Sequence, residues 1–477
     1  MLFRSAAAPL PEVPRRLATP AINTTDFVVL GYVQNASVAH QYHWHALTHV
    51  ACQFTRFNAD GTIGNAASFT GRTAELRAGG DAEANGVKVL MALANLNSGG
   101  DFDSSILSTV MQNDTLRQTL ADNVAALVNA DGYCAGVNLD FEPFPTSYPS
   151  ATAAGTADFI NKLRAALNAD KEISIYCGPT YYGTWGQVIA GAIDSLDYMN
   201  YSCYPFVGSW SSSIIGVAPQ SSYASRADDF LANGCPPEKL VLTLPSYGYR
   251  ARTDTPAYNV PIVDHIGSRG FCDSKWETTL SANLRDRQYR AGAETPWYSF
   301  DNGTNYTTTV YDDEISLATK MRAARSWIGA EYPGRRLRGV GFWSLMWMSA
   351  NYSGGFYSFD MESGASADKN RTYPYIYQAT QEVLAPPGTR TTLLDKWESQ
   401  DFRWRSYTAT NDRKDNVNVN HANTIRSIAA TPAGTGKPDN SDRCMRLDFE
   451  FTAASGKLFF RYEILGHHSE KIGRAHV

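Results

Sequence analysis

Eight short apolar runs alternate with longer amphipathic stretches between Phe27 and Leu345, and this alternation limits the fold more than any other feature of the chain. The runs are 27–33 (FVVLGYV), 48–54 (THVACQF), 87–93 (VKVLMAL), 135–141 (AGVNLDF), 172–178 (EISIYCG), 196–202 (LDYMNYS), 239–245 (KLVLTLP) and 339–345 (GVGFWSL). Each has strand length and is close to uniformly apolar, as a strand covered on both faces must be. Between them, 115–130, 159–170 and 316–329 read as helices. Strand–helix alternation of this kind builds a parallel sheet, and eight strands close it into a barrel. The expected fold class is therefore α/β, a (β/α)8 TIM barrel over residues 26–383.

The remaining segments break the alternation. Residues 250–310 are long, polar and carry Tyr, Trp and Gly. They read as an insertion between strands seven and eight, on the loop side where barrel active sites sit. After Val383, LAPPGTR (384–390) reads as a linker. Residues 391–470 then alternate apolar and polar side chains in CMRLDFEF and KLFFRYEIL, which predicts an all-β, sandwich-like accessory domain cut short at its C-terminus. Residues 1–25 read as a linker or processed tail. MLFRS (1–5) and KIGRAHV (471–477) are what common sequencing-adapter DNA encodes in one frame, so both ends are expected to be read-through.

Several function classes drop out early. Lys and Arg number 42 against 47 Asp and Glu, a net charge of −5, which excludes an overall basic nucleic-acid binder. No apolar run reaches the ~18 residues of a membrane span, so no membrane partner is expected. The seven cysteines are scattered without a CxxC pair, which argues for buried thiols rather than a zinc site. His40, His43, His45 and His49 lack a carboxylate at metalloprotease spacing, so metal: none. The turn with Asn95, Asn97, Gly99 and Gly100 lacks the GK[ST] of a phosphate loop and is expected to line a cleft instead. Cofactors: none.

The chemistry concentrates in Ala135-Gly136-Val137-Asn138-Leu139-Asp140-Phe141-Glu142-Pro143. Side chains alternate faces on a strand, so Val137, Leu139 and Phe141 point to the helices while Asn138, Asp140 and Glu142 point into the barrel. Polar groups there are costly unless they are hydrogen-bonded or functional. Glu142 comes last, at the C-terminal mouth. Asp140 and Glu142 are only ~6.6 Å apart along one strand. Glycoside hydrolysis by two carboxylates needs them flanking the scissile bond. Either a second carboxylate comes from another strand, or an N-acetylated sugar supplies its own 2-acetamido oxygen as nucleophile.

AGVNLDFE resembles the D-G-x-D-x-D-x-E signature of glycoside hydrolase family 18, the chitinase family. The resemblance extends over residues 26–380 and includes LTHVACQFTRFNADGTI (47–63), DYMNYSCY (197–204), KLVLTLPSYGYR (239–250), and VYDDEISLATKMRAARS (310–326) followed by GVGFWSLMW (339–347). It implies that Glu142 is the proton donor and Asp140 the aspartate that orients the acetamido group. It implies that Tyr204 hydrogen-bonds the acetamido carbonyl and that Trp343 floors the sugar at the cleavage site. Tyr32 and Tyr247 would line the cleft, with Asn138 among the substrate-binding residues. Three positions depart from the family pattern. Ala135 and Asn138 replace its first two aspartates, and Pro205 replaces the aspartate after the tyrosine, removing one possible hydrogen bond to the acetamido group. N-x-D-x-E resembles the spore-cortex and peptidoglycan glucosaminidase branch, as does Gly216-Val217-Ala218-Pro219.

A neutral Asn138 cannot repel Asp140 and can donate a hydrogen bond to it, which predicts an ionised Asp140 at neutral pH. The resulting expectation is a retaining, substrate-assisted hydrolase of β-1,4 bonds in chitin or peptidoglycan. It would act as a monomer, outside the cell or in its envelope, on a polysaccharide containing N-acetylglucosamine. The alternative is a sugar-binding lectin on the same fold, whose kind typically loses the acid that Glu142 retains here.

Overall fold

A computed structural model describes residues 27–33, 47–70, 76, 82, 86–142, 150–179, 183–270, 288–348, 380, 383–384, 425–428 and 446–449. The chain divides into two compact units, Thr24–Ala379 and the remainder, Met1–Asn23 with Thr380–Val477. In the second unit the described residues include one antiparallel pair, β14 (Ile425–Ile428) with β15 (Arg446–Phe449). Residues 385–390 of the expected linker and most of the accessory domain lie outside the described residues, as do both tails.

The larger unit is the expected barrel. Its strands are β1 (Val28–Val33), β2 (His49–Arg56), β3 (Lys88–Ala94), β4 (Cys134–Asp140), β5 (Glu172–Cys177), β6 (Tyr198–Ser202), β7 (Leu240–Pro245) and β13 (Gly339–Trp343). They close in the order β1-β13-β7-β6-β5-β4-β3-β2, and every pairing is parallel. Described helices between the strands are α1 (Ser104–Met111), α2 (Asp114–Ala130), α3 (Ser150–Ala166), α4 (Gly183–Ala192), α5 (Gln220–Ala232) and α6 (Glu314–Arg325). Asp103 starts α1 by accepting the N–H groups of Ser105 and Ile106 at its Oδ1, the usual role of an N-cap carboxylate.

The barrel interior is filled with side chains. Val28, Leu30, Tyr32, Ala51, Leu90, Ala92, Tyr198 and Val241 form one buried cluster. At the base, Glu172 takes hydrogen bonds from His49 (2.9 Å) and Lys88, and His49 Nδ1 meets Thr48 Oγ1 at 2.6 Å. Gly136 lets β4 run close to β5, since a Cβ there would stand 2.1 Å from the Glu172 carbonyl oxygen. On the helical side, Phe141 packs against Phe57 (5.7 Å) and Phe159 of α3 (6.0 Å), as alternation along β4 requires.

The insertion is an antiparallel sheet in its own right. Its strands are β8 (Tyr247–Thr253), β9 (Asp264–Gly270), β10 (Gln288–Arg290), β11 (Thr295–Asp301) and β12 (Tyr306–Val310), in the order β10-β11-β12-β8-β9. It leaves the barrel directly after β7, at the C-terminal ends of the parallel strands. There an apolar cluster joins it to the barrel rim, with Tyr204, Val207, Ile214, Val217, Tyr249, Ala251 and Val310 at its centre and Tyr247 and Trp343 packed against it. Asp312 and Lys320, both buried, form an ion pair between the end of the insertion and α6.

Candidate active site

Strand β4 delivers Asp140 to its last position and Glu142 just beyond it. Asp140 is 2% exposed and Glu142 is half-buried, so the second carboxyl reaches the open mouth while the first sits behind it. The two carboxyls share a hydrogen bond. Burial holds Asp140 well above the usual carboxylate range, and the neighbouring charge of Glu142 adds to this. Burial also lifts Glu142, while its hydrogen bond with Asp140 pulls the other way. Two adjacent carboxyls in one desolvated place share a proton in this manner.

This runs against the expectation of an Asp140 carboxylate supported by Asn138. Asn138 does not donate to it. Its Nδ2 donates to Ser174 Oγ at 2.8 Å, and it also bonds the Tyr32 phenol. Asp140 Oδ1 has no hydrogen-bond partner among the described residues, so desolvation acts on it unopposed. The lift of Glu142 comes from its own burial rather than from a charge on Asp140.

The aromatic residues divide into two groups. Trp343, Tyr247 and Tyr176 are half-buried and face the mouth, with Tyr204 behind them at 5% exposure. The Tyr204 and Tyr247 rings meet edge to face at 5.8 Å, and Tyr247 lies 5.8 Å from Trp347. Trp343 contacts Tyr32 at 5.4 Å and stacks on Phe54 at 6.0 Å. Tyr32 and Asn138, by contrast, are fully covered. The Tyr32 hydroxyl accepts from Asn200 Nδ2 at 3.1 Å. Both therefore belong to the packed interior rather than to the cleft wall, with Trp343 and Asn200 against Tyr32 and Ser174 against Asn138.

The sequence reading missed one neighbour of the carboxyls, Tyr176, and misplaced another, Asn95. Tyr176 lies on β5 in register with Asn200, its phenol bonded to Ser202. Burial raises that phenol, and the nearby charge of Glu142 adds to the effect. The alternation within EISIYC would have placed Tyr176 inward with Ser174. Asn95, expected in the cleft wall, is instead wholly buried, with its amide on the main chain of Glu142.

His49, the described member of the histidine cluster, is bound to Thr48 and Glu172, while His40, His43 and His45 lie outside the described residues. No group of three metal-ligating side chains occurs among the described residues. Cys134, Cys177, Cys203 and Cys235 are buried free thiols and Cys52 is buried, whereas Cys272 and Cys444 lie outside the described residues.

The family model for Glycosyl hydrolases family 18 matches residues 28–346. "Probable chitinase 2" of Drosophila melanogaster is 25% identical over 297 residues, covering 54% of this chain and 56% of that protein. "Putative sporulation-specific glycosylase YdhD" of Bacillus subtilis is 24% identical over 265 residues, covering 54% of this chain and 58% of that protein. The chain thus spans a little over half the length of these two relatives. Among solved structures, the Group IV chitinase of Ostrinia furnacalis in complex with allosamidin superposes with a TM-score of 0.58 at 19% identity, covering 76% of this chain and 99% of that one. A class V chitinase from Nicotiana tobaccum gives 0.56 at 18% identity, covering 67% and 94%. At such identities these structures support the barrel fold alone.

Proposed function

This chain belongs to family 18 of the glycosyl hydrolases, a chitinase-like glycosidase family, and from that premise we propose that it cleaves β-1,4 bonds beside N-acetylglucosamine by a substrate-assisted, retaining route. The observation that carries the reading is the hydrogen-bonded Asp140–Glu142 pair at the barrel mouth, with Trp343, Tyr204, Tyr247 and Tyr176 around it.

The reaction follows from the arrangement. The shared proton is delivered from Glu142 to the glycosidic oxygen as that bond breaks. Loss of this proton leaves Asp140 as a carboxylate that takes the acetamido N–H and directs the amide oxygen to the anomeric carbon. The C–O bond that forms closes an oxazolinium ring, and the Tyr204 hydroxyl stabilises the amide oxygen. Water then attacks the anomeric carbon, giving its proton to Glu142, as the ring's bond from that carbon to the amide oxygen breaks and the acetamido group is restored, so net configuration is retained. With both carboxyls on one strand, an intramolecular nucleophile resolves the geometric difficulty of two acids on the same side of the sugar.

For the substrate, we favour chitin or peptidoglycan. N-x-D-x-E and the similarity to a sporulation-specific glycosylase favour the cell wall, while the chitinase relatives favour chitin. Such a substrate places the enzyme outside the cell or in the envelope, acting as a monomer. Among the described residues no helix is long and apolar enough to cross a membrane. The lectin alternative is disfavoured because Glu142 is present and stands at the mouth.

The test is product analysis on chitin and on peptidoglycan sacculi with wild type and Glu142→Gln. Soluble products from one polymer with wild type, falling about 10³-fold or more in the variant, support the reading. Binding without turnover would favour the lectin, and equal turnover in both proteins would remove Glu142 from the chemistry.

A further inference from the structure

Resting on the reading of Glu142 as the acid, we propose that Asn95 is a positioning residue that holds this acid through a two-point grip on its main chain. The ladder between β3 and β4 ends at the pair Ala94 and Asp140, and that between β4 and β5 ends at Leu139 and Ile175. Glu142 therefore lies beyond both neighbouring strands. Pro143 follows it and has no N–H to offer. The peptide groups of Glu142 are instead taken up by a side chain. Asn95 Nδ2 donates to the Glu142 carbonyl at 2.6 Å, and the Glu142 N–H donates to Asn95 Oδ1 at 2.9 Å.

A carboxamide does both at once without taking up or losing a proton, because it presents a donor and an acceptor side by side in one plane. Asn95 is itself fixed from behind. Its Nδ2 also donates to the Asp103 carbonyl at 3.0 Å, and its own carbonyl accepts the Asp103 N–H at 2.8 Å. Asp103 caps α1, so the start of that helix, the turn after β3 and the acid form one connected unit. Asn95 is 0% exposed and cannot reach a substrate. Its influence passes through the backbone of Glu142, and a displacement of about 1 Å in a reacting group can cost on the order of 100-fold in rate.

The experiment uses Asn95→Asp, which keeps shape and the acceptor for the Glu142 N–H but turns an oxygen toward two carbonyls. Asn95→Ser, which removes the grip with a small polar residue, is the second variant should the first not accumulate. Aryl β-glycosides of di-N-acetylchitobiose are compared with a poor leaving group (phenol) and a good one (2,4-dinitrophenol). The poor one needs the proton from Glu142 and the good one largely does not.

The expected result is a loss in kcat/KM, which reports the bond-breaking step alone, of about 30–100-fold on the phenyl substrate and below about fivefold on the dinitrophenyl substrate. Equal losses on the two substrates, matching a lower folded fraction, would overturn the proposal. So would an unchanged kcat/KM on the phenyl substrate. Glu142→Gln separates the two claims. If it shows the leaving-group dependence and Asn95→Asp does not, the grip alone is wrong. If it turns over the phenyl substrate at the wild-type rate, the assignment of the acid fails and the grip loses its purpose.

Discussion

Replacing Glu172 by Gln tests whether the barrel separates stability from chemistry along its axis. Glu172 opens β5 at the base, in register with Gly136, six residues and roughly 20 Å along β4 from Glu142. Burial alone would push its carboxyl up. Hydrogen bonding and charge from His49, and then from Lys88, outweigh burial and hold it at about 2 against an ordinary 4.5. That difference corresponds to about 3 kcal/mol of stability. The sign follows from the direction. A depressed carboxylate stabilises the fold above its unfolded value, and the gain disappears as pH falls through 4.5 toward 2.

Glu172→Gln keeps the volume and one acceptor but removes the charge. Urea unfolding followed by tryptophan fluorescence at pH 7 should show a loss of about 2–3 kcal/mol, shrinking as pH falls below about 4.5. Activity per folded molecule should be unchanged, because the base of such a barrel carries stability and the mouth carries catalysis. A loss under about 0.5 kcal/mol, or one that does not change between pH 7 and pH 3, would refute the reasoning.

Asp140→Asn should lower kcat by about 10²–10⁴-fold while making the barrel more stable at neutral pH than wild type, with the advantage fading toward pH 4. The fading follows because a raised carboxyl gives its stability below its ordinary range and loses it as pH rises. Paired kinetics and urea midpoints at pH 4 and pH 7 check both halves. Trp343→Ala, which deletes the contacts to Tyr32 and Phe54, should weaken binding of chito-oligosaccharide by about tenfold or more, read by calorimetry in a Glu142→Gln background. Asp312→Ala leaves Lys320 buried and unpaired and should cost about 3–5 kcal/mol, read by chemical denaturation.

The barrel was legible because the parallel strands are covered on both faces and most of them are near-continuous apolar runs. The fourth run, expected at 135–141, appears as Cys134–Asp140, and the eighth, expected at 339–345, ends at Trp343. Polar packing hid the rest. The insertion sheet buries hydroxyls against one another, with Thr253 and Ser299 each 2.8 Å from Thr308 Oγ1, so hydropathy gave no strand signal there. Helix α3 starts at Ser150 rather than near 159 because its first half packs small residues. Gly155 lies so close to the Met111 carbonyl that a Cβ would clash at 1.7 Å.

At the mouth, Asp140, Glu142, Tyr204 and Trp343 stood out by motif, alternation and strand position. The hydrogen bond expected from Asn138 to Asp140 was misjudged because it depends on where an amide points, and Asn138 points at Ser174. Asn95 was read as cleft lining, and its hold on Glu142 could not be found from sequence, since its partner is a peptide group 47 residues away.

The central claim is that the sugar's own amide, steered by Asp140 and unlocked by the proton of Glu142, is the nucleophile. Aryl N-acylglucosaminides bearing acetyl, fluoroacetyl, difluoroacetyl and trifluoroacetyl groups measure this directly, because each fluorine weakens the amide oxygen without changing the leaving group. The account predicts that kcat/KM falls steadily along the series, by roughly 100-fold or more in total, with the β-anomer as first product. Rates indifferent to fluorination, or an α-anomer released first, would contradict it.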